Sequence, residues 1–147
     1  MSDLLTVSVV IVSRERPEAL RRCLLGLSQQ FYPAFEVIVV TDAAGRKAVR
    51  ALPQAERVRI VAFETPNISA ARNLGIASAA GEIIAFIDDD SVPEPSWLRH
   101  LAAAFGSAEV MAAGGFVRGR NGISWQSRAA WVDRCGHETA LDVDSRN

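Results

Sequence analysis

Three consecutive carboxylates, Asp88, Asp89 and Asp90, follow an apolar run that extends from Ile83 to Ile87. A short apolar run without alternation predicts a strand that is buried on both faces, with its polar end where the sheet meets solvent. In open α/β sheets, ligands bind at the carboxyl edge of the strands. This acidic triplet is therefore the strongest functional lead in the sequence.

The acidic triplet has the chemistry of a metal and diphosphate site. Adjacent carboxylates repel one another, so keeping all three ionised requires a compensating cation or hydrogen-bond donors. In extended backbone Asp88 and Asp90 project to the same side and Asp89 to the other. Mg²⁺ and Mn²⁺ take one or two carboxylates and complete their coordination with water and phosphate oxygens. The alternative is a solvated turn that caps the following helix.

Composition narrows the class of protein. The 147 residues are 49 % hydrophobic and 22 % charged, which predicts one soluble globular domain. The formal net charge is -1 and the basic residues are scattered, so the sequence has no cluster of basic residues of the kind that binds nucleic acid. No apolar run is long enough for a membrane span or a signal peptide. A peripheral membrane contact and a homodimer stay open.

Cysteine usage favours a reducing compartment, and we expect a cytoplasmic protein. Cys23 and Cys135 are too few for a disulfide framework. Cys23 lies on the apolar stripe of a predicted helix and reads as a buried core residue. Cys135 and His137 offer two zinc ligands, but no second pair accompanies them, so the spacing alone does not predict a zinc site.

Strands and helices alternate along the chain, which predicts parallel pairing with crossover helices. Apolar, β-branched runs predict strands at residues 7–12, 36–40, 58–63, 83–87 and 110–113. Apolar spacing and prolines predict helices from residue 17, over 46–52, over 69–80 and from residue 95. Asn67 or Ser69 is suited to cap the third helix. Each polar loop that follows a strand then falls at one edge of the sheet.

Further candidate residues lie at that edge. Asp42 ends the second strand and shares the edge with the acidic triplet. Arg72 and Asn73 lie in the first turns of the third helix, where an anionic ligand is favoured; a solvated arginine and a helix-packing asparagine are the alternative. From Arg118 onward, arginines and tryptophans alternate with weak periodicity. We therefore predict a ligand-binding domain over residues 1–117 and a C-terminal extension over 118–147 that acts as a lid or an interface.

Four segments, taken in order, resemble family 2 glycosyltransferases. They are VSVVIV (residues 7–12), FEVIVVTD (35–42), SAARNLGI (69–76) and GEIIAFIDDD (81–90), and PSWL (95–98) follows in the same pattern. The resemblance implies a GT-A (Rossmann-like) fold with a mostly parallel sheet flanked by helices. It makes residues 1–117 the nucleotide-sugar-binding GT-A domain and residues 118–147 a lid, an interface or the start of the acceptor segment. It also implies a nucleotide-diphosphate-sugar donor, Mn²⁺ or Mg²⁺, and an inverting transfer to a hydroxyl of a carbohydrate or lipid-linked acceptor.

The resemblance assigns roles to individual residues. Asp42 matches the acid that contacts the base of the donor. Asp90 matches the metal ligand, and Asp88 is the second candidate ligand of the metal. Asp88 and Asp89 also match the residues that support ribose and diphosphate. The loop after the first strand and the start of the third helix match the surroundings of the nucleotide, and their candidate residues are Ser13, Arg14, Arg72 and Asn73.

The sequence also departs from the family pattern. Thr41 stands where a second acid is common, and an aromatic residue and an asparagine are usual in the loop that here reads SRER (13–16). The family's catalytic base lies well beyond the metal-binding acids, so we expect a truncated, donor-binding part whose base is unknown. The later acids read as solvated surface residues: Asp133, Glu138, Asp142 and Asp144. The alternatives are a noncatalytic nucleotide-sugar-binding module and a nucleotidyltransferase, although the glycine- and lysine-rich loop of the latter is missing.

Overall fold

The computed structural model describes residues 4–119 and 121–141. The chain divides into two compact units, Met1–Ser96 and Trp97–Asn147. The first unit contains a parallel sheet with helices, and the second contains one helix and short antiparallel strands. The sequence-based boundary between residues 117 and 118 stays a prediction.

The sheet of the first unit has four parallel strands in the order β3-β2-β1-β4. They are β1 (Val7–Ser13), β2 (Phe35–Thr41), β3 (Val58–Ala62) and β4 (Ile83–Phe86). The two central strands are buried along most of their length, as continuous β-branched runs predict. The predicted α/β class with a mostly parallel sheet is confirmed.

Three helices connect these strands. They are α1 (Pro17–Leu27), α2 (Ala43–Arg50) and α3 (Ile68–Ser78). The predicted stripe of α1 is buried, including Cys23. The Asn67 side chain caps α3 by accepting a hydrogen bond from the N–H of Ala70 at 2.9 Å. Helix α2 begins three residues earlier than predicted, since the Asp42 side chain caps its first turn.

Helix α3 covers only part of the sheet. Its Ala71 packs into a core with Val10, Ile38 and Val40 of the two central strands. Strand β4 lies at the edge of the sheet, and its burial alternates, so Phe86 is 45 % exposed. The prediction that this strand is buried on both faces was wrong, because a helix over the sheet centre leaves the edge strand uncovered on that side.

Gly75 permits the close approach of α3 to the sheet. A Cβ at this position would lie 2.4 Å from Cγ1 of the buried Val10. We expect Gly75→Ala to lower the free energy of unfolding by about 1 kcal/mol, since overpacking costs about 1–3 kcal/mol and helix propensity returns about 1 kcal/mol. Urea denaturation of Gly75→Ala, Val10→Ala and the double variant measures this. If the double variant shows no favourable coupling, the clash is not the cause.

The second unit begins with α4 (Trp97–Ala104), two residues after the predicted start at Pro95. Its strands are β5 (Val110–Gly114), β6 (Val117–Arg118), β7 (Trp125–Ser127), β8 (Ala130–Asp133) and β9 (Glu138–Ala140). Strands β5, β8 and β9 form one antiparallel sheet in the order β5-β8-β9, and β6 pairs with β7. Over the described ranges, no helix has the length and apolar character needed to cross a membrane.

Candidate functional site

A cleft of about 460 Å³ opens at the carboxyl edge of the first unit's sheet. One side is formed by the acidic triplet and by the end of β1 with its following loop, which contributes Ser13, Arg14 and Arg16. The opposite side is formed by the segment between β3 and α3, where Phe63, Pro66 and Asn67 are among the lining residues. The cleft therefore combines acids, arginines and the amino-terminal end of a helix.

Asp89 is the buried member of the acidic triplet, with 5 % of its surface exposed. It accepts a hydrogen bond from Oγ of Ser13 at 2.8 Å and another from Nη1 of Arg16 at 2.9 Å. Ser13 is itself buried, so this hydrogen bond satisfies a hydroxyl that water does not reach. Asp89 thus holds the loop after β1 against the acidic triplet.

Asp88 and Asp90 face solvent more than Asp89 does. The side chain of Asp88 is 73 % exposed and lies 3.5 Å from Nη2 of Arg72. The side chain of Asp90 is 35 % exposed and accepts a hydrogen bond from Nη2 of Arg16 at 3.0 Å. Arg16 therefore bridges the buried and the exposed acid, and the hydrogen bond to Asp90, followed by the charge of Asp89, raises the pKa of Arg16.

Arg72 is held between two groups of the same unit. Its guanidinium lies 5.8 Å from the ring centroid of Phe86 on β4 and also reaches Asp88. Cation–π contact on an exposed ring restrains the side chain without immobilising it. Arg72 is therefore beside Asp88 of the acidic triplet. Neither Arg72 nor the neighbouring, exposed Asn73 is among the residues that line the cleft.

Asp42 is at the same edge of the sheet, but its carboxylate is already occupied. It is 7 % exposed, and it accepts hydrogen bonds from the N–H of Gly45 at 2.9 Å and of Glu15 at 2.8 Å. The Gly45 bond, followed by that from Glu15, holds the pKa of Asp42 below its ordinary value in spite of burial. Asp42 is not among the cleft-lining residues, so contact with a donor base stays a prediction.

Glu15 adopts a left-handed backbone conformation, with φ of 57°. This conformation is uncommon for a residue with a Cβ and often marks a functional loop. It turns the Glu15 N–H toward Asp42 while the flanking Ser13 and Arg16 reach Asp89. One short loop thus connects the acids that follow β2 and β4.

The lowered pKa of Asp42 makes a testable contribution to pH-dependent stability. A folded pKa below the unfolded one stabilises the protein above the unfolded value, near 4, and this stabilisation is lost as pH falls through the folded pKa. Asp42→Asn leaves one acceptor oxygen for two N–H groups. We expect it to lose about 1–2 kcal/mol of unfolding free energy at pH 7.

Urea denaturation between pH 7 and pH 3 measures this effect. The difference between wild type and Asp42→Asn should shrink as the pH falls below about 4, because the Asp42 carboxyl of the unfolded wild type binds a proton there, whereas that of the folded protein, with its lowered pKa, does so only at lower pH. Glu56→Gln, at an exposed position, is the matched control and should show no such difference. A difference that is constant with pH would contradict the assigned role of the Asp42 charge.

Arg16 and the cleft wall between β3 and α3 were not identified by sequence reasoning. Arg16 could have been identified from the sequence, because an arginine in the loop after β1 lies at the same sheet edge as three acids and is an expected partner for them. The wall at Phe63, Pro66 and Asn67 has no comparable signal, because its role depends on the path of a loop. The structure brings Ser13, Arg14, Arg72 and the acidic triplet together.

The later acids remain without an assigned catalytic role. Glu138 is exposed on β9, as expected for a surface residue. Asp133 ends β8 and accepts hydrogen bonds from the N–H groups of Cys135 and His137. Asp142 and Asp144 lie outside the described residues.

Comparison with known families adds to this geometry. The model of the family described as "Glycosyl transferase family 2" matches residues 8–145, which is almost the whole chain. The chain belongs to glycosyltransferase family 2. Glycosyltransferase AglE of Haloferax volcanii is 33 % identical over 123 residues, covering 79 % of this chain and 40 % of that protein. This chain spans between 9 % and 40 % of the length of four curated relatives that it matches, of which AglE is one.

Solved glycosyltransferase structures share the fold. The mannosyltransferase PcManGT from Pyrobaculum calidifontis, in complex with GDP-Man and Mn²⁺, is 23 % identical, with a TM-score of 0.71 over 80 % of this chain and 37 % of that chain. S. aureus TarS 1-349, in complex with UDP-GlcNAc, is 24 % identical, with a TM-score of 0.59 over 69 % of this chain and 31 % of that chain. The predicted GT-A fold is confirmed for this family 2 chain.

Proposed function

We propose that this chain is the donor-binding part of an inverting, metal-assisted glycosyltransferase. The donor is a nucleotide-diphosphate sugar, and the acceptor is a hydroxyl of a carbohydrate or lipid-linked substrate. The observation that carries the proposal is the cleft at the sheet edge, in which exposed acids, two arginines and the start of α3 surround one space. Its volume of about 460 Å³ falls in the usual range for ligand sites.

The cleft offers two kinds of group for a diphosphate. The amino-terminal end of α3, with Pro66, Asn67 and Ile68 lining the cleft, presents the positive end of an eleven-residue helix. Arg14 lines the same cleft with its side chain 42 % exposed, and it forms an ion pair with the adjacent Glu15 at 3.3 Å. A phosphate group placed there meets cationic partners on both sides.

The donor set of the acidic triplet fits Mn²⁺ or Mg²⁺. Asp88 and Asp90 are exposed carboxylates in the cleft, and such ions bind one or two carboxylates together with water and phosphate oxygens. Asp89 is buried and holds Ser13 and Arg16, so the proposed ligands are the two exposed acids, each of which also contacts an arginine. When bound, the ion acts as a Lewis acid that stabilises the charge of the departing nucleoside diphosphate.

The chain's own residues would position the leaving group. Asp89 holds the loop after β1, and that loop places Arg14 and Arg16 on the cleft. Charges that are fixed in place before the reaction stabilise developing charge with little reorganisation. Inversion requires a single displacement in which a carboxylate deprotonates the acceptor hydroxyl from the opposite face of the sugar.

The structures of related fold support a nucleotide-sugar donor. One of them holds GDP-Man with Mn²⁺, and another holds UDP-GlcNAc. The two donors carry different bases and different sugars, so the class of donor, and no particular sugar, is what we propose for this chain.

Arg16 compensates the acidic triplet before any ion binds, because it contacts both Asp89 and Asp90. Arg16→Gln removes this competing charge. We expect Mn²⁺ to bind on the order of tenfold more tightly to the variant in the absence of nucleotide. Loss of the arginine leaves the site one unit more negative, and one unit of charge at contact distance has about that effect on affinity. Isothermal titration calorimetry with MnCl₂ measures it, with Arg21→Gln as the matched control on exposed α1 surface. Weaker Mn²⁺ binding by Arg16→Gln would show that Arg16 organises the acids instead of competing for them.

The proposed function is tested by calorimetric titration of the full chain with UDP, GDP and dTDP, each with and without Mn²⁺. We expect one nucleotide to bind much more tightly when Mn²⁺ is present, which would also identify the base. Binding that is equal with and without metal would remove the metal from the proposal. If none of the three nucleotides binds under either condition, the cleft is not a donor site in this chain.

A further inference from the structure

The loop between β8 and β9 gathers three metal-ligating side chains. One oxygen of Asp133, the sulfur of Cys135 and one ring nitrogen of His137 all lie within 4.8 Å of one another. Asp133 is half-buried, and the other two residues are exposed. These three metal-ligating side chains belong to the second unit and are not among the residues that line the cleft proposed for the nucleotide sugar.

The backbone of the loop preorganises these side chains. The N–H of Asp133 donates to the carbonyl of His137 at 3.1 Å, and the N–H of Gly136 donates to the carbonyl of Asp133 at 3.1 Å. Gly136 has φ of 81°, a conformation that glycine adopts without strain. The reversal at Gly136 brings His137 back beside Asp133.

The two oxygens of Asp133 have separate roles. Oδ1 accepts hydrogen bonds from the N–H groups of Cys135 and His137, each at 2.8 Å. Oδ2 lies 3.1 Å from Nδ1 of His137. Because Oδ1 alone caps the loop, Oδ2, the thiol and the imidazole are not required for the turn.

We propose that Asp133, Cys135 and His137 form a binding site for a zinc-class divalent ion, with the remaining position open to water. In a tetrahedral zinc site with Zn–N and Zn–O near 2.0 Å, the ligating nitrogen and oxygen lie about 3.3 Å apart. The observed separation of 3.1 Å between Nδ1 and Oδ2 is close to this value. Small rotations of two exposed side chains would complete the coordination.

The chemical types of the three ligands also favour one class of ion. Thiolate and imidazole favour zinc and similar borderline ions, whereas Mg²⁺ and Mn²⁺ prefer oxygen ligands. Three protein ligands with one open position are the arrangement of exchangeable zinc sites, while fully structural sites use four ligands. The loop is held by its backbone hydrogen bonds without an ion, so metal loading should leave the fold unchanged.

Cobalt substitution tests the site in the full chain. Titration of the reduced protein with Co²⁺ should produce a thiolate-to-cobalt charge-transfer band, together with the strong visible bands of tetrahedral cobalt, saturating at one ion per chain. Cys135→Ser should abolish the charge-transfer band. His137→Gln should weaken Co²⁺ binding by at least about tenfold. The matched control is His100→Gln, which removes an exposed histidine outside the loop and should have no effect.

Thiol alkylation gives a second readout. Cys23 is fully buried, and burial raises the pKa of its thiol to about 12, so alkylation of the folded chain reports on Cys135. We expect Zn²⁺ to slow the alkylation of Cys135 in the wild type and much less in His137→Gln. Circular dichroism identifies any variant that has not folded. Absence of the charge-transfer band, its persistence in Cys135→Ser, or alkylation that is unaffected by Zn²⁺ would overturn the proposal.

Discussion

Asp90→Asn should abolish the metal-dependent part of nucleotide binding while leaving the fold intact. Asp90 is an exposed carboxylate in the cleft, and its replacement removes a hard ligand and a charge without removing core packing. We expect the affinity for the preferred nucleotide in the presence of Mn²⁺ to fall at least about 100-fold, equivalent to about 2.7 kcal/mol. Calorimetry under identical conditions measures the change.

The control for Asp90→Asn is Glu94→Gln, an exposed acid outside the cleft lining. Glu94→Gln should bind nucleotide as the wild type does. The free energy of unfolding of Asp90→Asn should change by less than about 1 kcal/mol, because its ion pair with Arg16 is exposed. Unchanged Mn²⁺-dependent affinity in Asp90→Asn would show that the ion binds elsewhere.

Asp89→Ala should destabilise the first unit far more than replacement of either neighbouring acid. Its removal leaves the buried hydroxyl of Ser13 without an acceptor and releases Arg16. Burying a donor without a partner costs about 1–3 kcal/mol, and the lost charged hydrogen bond adds to this, so we expect a decrease of about 2–4 kcal/mol in the free energy of unfolding. Urea denaturation followed by circular dichroism measures it.

Asp88→Ala is the matched control for this prediction, since the Asp88 side chain is 73 % exposed. It should change the free energy of unfolding by less than about 0.5 kcal/mol. All three tryptophans lie in the second unit, so circular dichroism is the appropriate probe for the first. Equal destabilisation by Asp88→Ala and Asp89→Ala would contradict the division of the acidic triplet into a buried and two exposed members.

The sequence by itself determined the strands and helices of the first unit and the edge at which the acids lie, whereas the strands after β5 were not predicted. The β-branched runs of β1 and β2 specify buried parallel strands, because hydrophobic periodicity is a local property that each segment carries. The spacing of Leu20, Cys23, Leu24 and Leu27 likewise specified the buried face of α1. Once parallel strands are predicted, the residues that follow them must meet at one edge.

Only the tertiary structure decided which residues at that edge are buried by other side chains and which face solvent. Alternation along an extended strand predicts Asp89 on the opposite side from its neighbours, but β4 ends at Phe86 and the triplet runs into a turn closed by the N–H of Ser91. Burial of Asp89 depends instead on Ser13 and Arg16, which are more than 70 positions away along the chain. Asp42 was predicted as a ligand contact, which stays a prediction, and the structure adds that its carboxylate holds the loop at Glu15 and caps α2. The side chain's partners are set by how two loops come together, and no local pattern encodes that.

The limits of local reasoning are clearest at β4 and β5. An apolar run does not reveal whether a strand lies at the centre or the edge of a sheet, so the exposed face at Phe86 could not be read from residues 83–87. Strand β5 was predicted from its residues, but its antiparallel pairing with β8 was not. Burial and pairing depend on which elements become neighbours, and the packing of the whole chain decides that.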